Sequence, residues 1–451
     1  MTVKKEVYHQ LDELKQALRK SRPMLFVGSG TSTVIPFHSD ELNQNSEVVL
    51  ADLSQLPIKI ESIDSEEMAV RLSGGTTWLD LREFANLDNK EVLTWPTEEL
   101  ALVLAGLATS ATGERCFGYG TLRDQVLALR YLDSEGVEHR LDSKKKLIDH
   151  SLFSSSPARE WLSRYQETYR HYQSFKNAPF PRLEKETDLM IGFEGQLGVI
   201  TEATLKVQAK ASLTYLLIEC PSWLEDDNLH LKIFEVVQDL RARVSACEFL
   251  DSQSLSYLPK ETWNQTNKDV IYLELKLHDL EEIYEVLLER LPILNENTVF
   301  QVDEIKIRNL RMAVPRMVAD LNSRNQVTKL GTDIQVSEKD FSKLLSEYRT
   351  LAHRGVRFVL FGHFGDAHLH FNYLATREQR ESCLQDFETL YSRVRSWKAS
   401  PFAEHGIGLL KKNYIKNFHD EVQLEMFRYL KTELDPKNLF FPQGFMSGAL
   451  K

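Results

Sequence analysis

The sequence predicts an α+β protein of two or three domains, with a mostly antiparallel sheet in its second half. Three observations predict it. The chain has 451 residues, more than one ordinary domain holds. Beyond residue 208, short apolar runs alternate with helix-spaced stretches. Before it, apolar strands lead into or out of three glycine-rich segments.

Composition narrows the function. Hydrophobic residues make up 42% and charged residues 27%, which fits a globular protein and excludes a collagen-like or largely disordered chain. The 55 basic residues face 66 acidic ones, a net charge of −11, which speaks against nucleic acid but leaves room for a local anion pocket. No two of Cys116, Cys220, Cys247 and Cys383 have CxxC spacing, so neither an iron–sulfur motif, a structural zinc nor a disulfide framework is expected. The N-terminus lacks the apolar core of a secretory signal, and no run of about 18 apolar residues predicts a spanning helix. The expected location is cytoplasmic, with a peripheral contact at a membrane's inner face left open.

In chain order, residues 4–20 pattern as an amphipathic helix through Val7, Leu11, Leu14 and Leu18. An apolar strand, Met24 to Val27, opens into Gly28-Ser29-Gly30-Thr31-Ser32. Strands are expected at 48–52, 57–63 and 68–73, then helices at 78–87 and 99–108, then a strand from Val126 to Asp133. Residues 144–190 are charged and helix-prone, and a strand returns at 199–207. Beyond 208 come six strands (TYLLIEC, CEFLD, VIYLELKL, TVFQVD, RFVLFGH, HLHFNYL) and helices at 230–243, 279–290, 338–353 and 377–396. The last stretch, 400–451, reads as helical and ends in turn formers.

The glycine-rich segments are 28–32, 106–120 (GLATSATGERCFGYG) and 192–198 (GFEGQLG). Glycine lets backbone N–H groups close on a phosphate. None matches GxGxxG or GxxxxGK[ST], so nicotinamide-Rossmann and P-loop readings fail, and each segment taken alone reads first as an ordinary tight loop. In order, however, PMLFVGSGTS, VVLADLSQL, LSGGTTWLDL, LAGLATSATGERCFGYGTLRDQVLALRYLDSEG and IGFEGQLGVITEATLKV resemble the FAD-linked oxidase family with its vanillyl-alcohol-oxidase-type flavin domain. The resemblance implies a two-subdomain FAD-binding domain over 1–207, an α+β cap domain with an antiparallel sheet over 208–398, and a C-terminal segment, 399–451, packing back on the FAD domain. It assigns FAD contacts to Gly28, Ser29, Gly30, Thr31, Ser32, Gly106, Thr109, Gly113, Tyr119, Gly120, Asp124, Gly195, Gly198 and Ile200. The first loop contains no histidine, which implies non-covalent FAD; His38 lies beyond it in a polar stretch. Where the family carries a Gly-Tyr pair, this chain has Pro181 and Arg182.

The strongest local signal is Gly362-His363-Phe-Gly365-Asp366-Ala-His368-Leu-His370-Phe-Asn372. Read as a hairpin closed by FGDA, it sets His363 opposite His368 and puts His370 on the same face. Three such imidazoles suit zinc or a first-row neighbour; the competing reading is a polar hairpin lining a cleft. Ala403-Glu404-His405-Gly406-Ile-Gly408 reads either as a turn presenting a carboxylate and an imidazole, or as a helix start with an acidic cap. Both segments resemble the same family's C-terminal half, whose members include D-lactate, glycolate and D-2-hydroxyglutarate dehydrogenases. That resemblance implies His363, His370 and Glu404 as ligands of a divalent metal. It makes His405 the base, Asn372 a substrate contact, Arg311 the carboxylate partner and Lys329 a second anion contact. Ala367 and His368 depart from the family's Gly and Asn.

The expected reaction is oxidation of a small anionic D-2-hydroxy acid with FAD, the electrons leaving to a quinone, a cytochrome or an electron-transfer flavoprotein. The alternatives are a flavin-binding electron-transfer or regulatory protein, and an oxygen-using alcohol or amine oxidase.

Overall fold

The computed structural model describes residues 4–35, 47–63, 68–263, 267–324, 327–415 and 417–450; His38 lies outside them. The chain divides into two compact units. The first collects residues 1–113, 121–210 and 404–451, and the second 114–120 and 211–403.

The first unit holds two sheets. Strands Lys4–Val7, Val49–Asp52 and Met24–Val27 form a parallel sheet in that spatial order. The second sheet is antiparallel and runs Lys59–Ile63, Ala69–Ser73, Val199–Ala209, Val126–Leu132, Glu138–Asp142, with Lys90–Val92 pairing onto Val199–Ala209. The expected helix over 4–20 is shorter: Lys4–Val7 is a strand and the helix is Leu11–Leu18. Val7 fits a helical spacing yet is 41% exposed, because it belongs to the strand. Leu14, Ala17 and Leu18 turn the helix's apolar side onto Met24, Val49 and Ala51. Helix Trp78–Leu87 lies where it is expected, opened by a capping box between Thr77 and Asp80. The one expected at 99–108 starts later, at Val103, and ends at Ala108.

The last stretch knits into this unit. Backbone bonds join Met24 N–H to the Leu439 carbonyl and Phe441 N–H to the Met24 carbonyl, both at 2.7 Å. In 400–451 the substantial helix is Glu421–Leu434. Its Lys431 is buried and donates to the Gln196 carbonyl, the Phe440 carbonyl and Asp435 within 2.8 Å. Burial pushes this ammonium's pKa down, opposed by the Asp435 carboxylate.

The second unit is built on an eight-stranded antiparallel sheet. Its order is Val299–Val302, Leu213–Cys220, Asp269–Lys276, Val244–Leu250, Phe358–His363, His368–Ala375, Thr328–Gly331, with Ile334–Gln335 pairing onto His368–Ala375. All six strands expected in this half are present. Helix Glu304–Ser323, absent from the sequence-based expectation, packs Ile307, Leu310, Val314 and Val318 against Tyr215, Leu217 and Tyr272. Pro315 sits inside it, and an interior proline argues against a helix when only the sequence is read. All four cysteines are buried and none is in a disulfide. No helix among the described residues is long and apolar enough to cross a membrane.

Candidate active site

The histidine hairpin forms with the register its alternation predicts. Phe358–His363 and His368–Ala375 pair antiparallel, with His363 opposite His368 and Phe361 opposite His370. Phe364–Asp366 closes the hairpin as a single tight turn, and Ala367 adopts a left-handed φ of 49°. Gly would take that conformation more readily, so the substitution costs some backbone strain.

The three imidazoles face one another. Ring centroids lie 4.6 Å apart for His368–His370, 5.3 Å for His363–His368 and 5.6 Å for His363–His370. One nitrogen of each ring is held by an acceptor. His363 Nδ1 meets Glu248 Oε1 at 2.7 Å, His368 Nε2 meets Asp333 Oδ1 at 3.1 Å, and His370 Nδ1 meets the Thr332 carbonyl at 3.4 Å. This is how metal-binding imidazoles are oriented: the second nitrogen is aimed and its basicity raised. The donor set therefore fits a divalent cation. Glu248 and Asp333 are functional candidates that the sequence reading missed. They lie 115 and 35 residues from the histidines they hold, and neither stands in a motif.

Asn372 is buried on the same strand, its side-chain amide donating to the His370 carbonyl at 3.1 Å. Arg311 is not a lone cation awaiting an anion: its Nε lies 2.8 Å from Glu114 Oε2. Tyr272 donates to the same carboxylate at 3.2 Å. Beside it, Arg115 pairs with buried Glu274 at 2.6 Å, and Tyr215 donates to Glu274 at 2.9 Å. Burial raises the Glu274 pKa, and the Arg115 charge lowers it. Lys329 is exposed on strand Thr328–Gly331, a poor place for a desolvated anion contact.

In the first unit, Glu404 is buried and His405 half-buried in a turn without regular structure; the acidic-cap reading of a helix start does not hold. Glu194, in the third glycine-rich segment, anchors the C-terminal side of this turn. Its carboxylate accepts from Ile407 N–H at 2.6 Å and Gly408 N–H at 3.1 Å. Burial raises the Glu194 pKa, and these two N–H groups oppose the rise. Gly406 has φ of +76°, and a Cβ there would stand 2.7 Å from Glu194 Oε1. The residues that follow are held by Val34, whose carbonyl accepts from Leu409 and Leu410 N–H at 3.0 and 3.1 Å. The C-terminal end of the turn carrying Glu404 and His405 is thus tied to the third glycine-rich segment and to the chain just beyond the first.

The assigned FAD contacts have mixed surroundings. Gly30 has φ of +71° with open space where a Cβ would stand, as an anion loop requires. Ser29 donates to the Leu100 carbonyl at 2.6 Å, Ser32 Oγ accepts from Val34 N–H at 3.3 Å, and Thr31 is exposed. Thr109 ends helix Val103–Ala108, its hydroxyl on the Ala105 carbonyl at 3.1 Å. Asp124 caps a short helix by accepting from Thr121 N–H at 2.9 Å. Gly28, Gly106, Gly113, Gly195 and Gly198 pack closely on Ala105, Trp78, Trp95, Phe26 and Tyr131. Ile200 is buried in its strand. Tyr119 and Gly120 belong to the second unit, where the Tyr119 hydroxyl meets Ser245 Oγ at 3.4 Å. The hydroxyl of Thr112 is buried with no hydrogen-bond partner among the described residues. A buried orphan hydroxyl in one assigned segment and an open glycine loop in another fit a bound polar cofactor.

Comparison with known proteins agrees. A family model described as FAD binding domain matches residues 6–142, and one described as FAD linked oxidases, C-terminal domain, matches residues 229–443. D-lactate dehydrogenase [cytochrome] of Kluyveromyces lactis is 22% identical, over 95% of this chain and 70% of the relative. D-2-hydroxyglutarate dehydrogenase of Danio rerio is 25% identical, over 74% of this chain and 58% of the relative. Among solved structures, an alkyldihydroxyacetonephosphate synthase superposes with a TM-score of 0.65 at 14% identity, over 97% of this chain and 76% of its own; it shares the fold. With an FAD-binding domain and an oxidase C-terminal domain matched in sequence, and the fold matched in three dimensions, the chain belongs to the FAD-linked oxidase family and is an FAD-dependent oxidoreductase.

Proposed function

We propose that the protein oxidises a small D-2-hydroxy acid to the 2-oxo acid, with FAD bound non-covalently as the hydride acceptor and a divalent metal assisting. The observation that carries this is the hairpin of oriented imidazoles, which suits a cation able to hold a hydroxyl and a carboxylate oxygen. Relatives named as D-lactate and D-2-hydroxyglutarate dehydrogenases support the substrate class. In this reading residues 1–207 bind FAD, residues 208–398 bind substrate, and residues 399–451 supply Glu404 and His405.

His363, His370 and Glu404 would hold the cation, which supplies Lewis acidity toward the α-hydroxyl. The flavin supplies the electron sink. Arg311 takes the substrate carboxylate, exchanging its pairing with Glu114 for a bidentate one, and Tyr272 keeps the released Glu114 oxygen hydrogen-bonded. Asn372 presents an amide to a substrate oxygen. His405 accepts the hydroxyl proton on an imidazole nitrogen; this removes the charge that would otherwise oppose loss of the Cα hydrogen. Lys329, exposed as it is, is assigned only to the approach of the anion. An acceptor such as a cytochrome, a quinone or an electron-transfer flavoprotein would take the electrons.

The test is anaerobic mixing of the FAD-loaded protein with a panel of D- and L-2-hydroxy acids. Bleaching of the flavin band by a D-acid, and its loss after chelation, is expected. A panel in which no hydroxy acid bleaches the flavin would remove the reading, and peroxide formed with an alcohol or amine would replace it with an oxidase.

A further inference from the structure

We propose that His368 is itself a metal ligand, so that the second unit carries a three-imidazole socket for a borderline cation such as zinc. The inference deepens the metal part of the reading above and rests on it. It goes beyond His363, His370 and Glu404, because His368 stands where the resembling family has Asn.

Geometry comes first. A zinc–nitrogen bond of about 2.1 Å places an imidazole centroid about 3.2 Å from the ion, so tetrahedral ligands have centroids about 5.2 Å apart. The three pairs here stand at 4.6, 5.3 and 5.6 Å, bracketing that figure. Each ring can offer a nitrogen within 4.8 Å of the others'. All three sit on adjacent strands of one sheet, so their backbones are fixed before any ion arrives.

Orientation comes second. His368 is fully buried, and its Nε2 is held at 3.1 Å by Asp333, which is also buried. With Nε2–H donated to that carboxylate, Nδ1 becomes the ligand atom. His363 is held the same way by Glu248. An incidental core histidine rarely comes with two neighbours of its own kind, each oriented by an acceptor.

Charge comes third. Glu248 and Asp333 bring two carboxylates into the second unit's interior beside the rings, 5% and 1% exposed. A divalent ion held by the rings would lie beside these two carboxylates and be stabilised by them. Three nitrogens favour zinc, cobalt or nickel over magnesium or calcium, which prefer oxygen.

The experiment uses the full-length FAD-loaded protein, stripped with a chelator and titrated with zinc chloride against a chromogenic competitor. His368→Asn is expected to weaken zinc at least as much as loss of an outer-sphere partner does, about 10–100-fold, with the flavin spectrum unchanged. Magnesium is expected not to compete. Because the variant alters a buried residue, X-ray absorption of the zinc-loaded wild type is the second measurement, and its outer-shell scattering should require three imidazoles. Wild-type affinity in His368→Asn, or a scattering fit with two imidazoles, overturns the inference and leaves the two-histidine reading standing. A wild type that binds no zinc overturns both, whereas absence of flavin bleaching alone would touch only the proposed reaction.

Discussion

His405 carries the sharpest claim at the scale of single residues. Asparagine there keeps size and polarity but cannot accept a proton near neutrality. The flavin-reduction step in His405→Asn should therefore slow by about 10²–10⁴-fold in stopped-flow measurements. Binding of an unreactive hydroxy-acid analogue should change little; a wild-type reduction rate would exclude His405 as the base. A second histidine speaks to stability. His419 lies against Phe180, Phe427 and Phe445, and burial pushes its pKa from 6.5 down to about 4. The folded chain thus refuses a proton that the unfolded chain takes up. Stability is full above pH 6.5 and is lost as pH falls toward 4. Between pH 7 and pH 5 this loss amounts to about 2 kcal/mol. His419→Phe should shrink the fall in melting temperature between those pH values, and an identical fall in both proteins would assign the acid sensitivity elsewhere.

At the scale of elements, the decisive one is the turn 404–408 rather than any helix. Two of its N–H groups end on Glu194, 213 and 214 residues earlier. Glu194→Ala would strand them without an acceptor, at about 1–3 kcal/mol each. The Ala variant should melt earlier, and amide exchange at 406–409 should quicken. Glu194→Gln keeps one carbonyl oxygen for both donors and should recover most of the loss. Equal exchange in wild type and Ala variant would show that Glu194 does not hold the turn. The hairpin behaves oppositely, since its register follows from side-chain alternation and a short turn, both local.

For the whole molecule, the first unit is assembled from three separate stretches of chain, the last returning to pair Phe440 with Met24 and to bury Lys431 under Gln196 and Phe440. Cofactor and stability are therefore coupled: FAD bound to the folded unit stabilises it by mass action. The purified protein should be yellow, melt higher with added FAD, and release its flavin into the supernatant on acid precipitation. Flavin retained in the pellet would indicate a covalent bond and displace the non-covalent reading.

Short-range pattern was enough for much of this architecture. The strand–helix alternation past residue 208, the hairpin pairing His363 with His368, and the order of the glycine-rich segments were legible because period-2 alternation and turn residues act locally. Where two local signals competed, the reading failed. Val7 fitted a helix and formed a strand, and Pro315 hid the helix Glu304–Ser323, whose apolar face is stabilised by packing on the sheet. Which carboxylates serve the site became visible only in three dimensions. Glu248 and Asp333 stand in no motif, and Glu114 and Glu194 lie inside glycine-rich segments whose pattern assigns them no role. Each finds its partner only when segments distant in sequence come together, because a charge in a folded interior is set by neighbours in space, which periodicity along the chain does not encode.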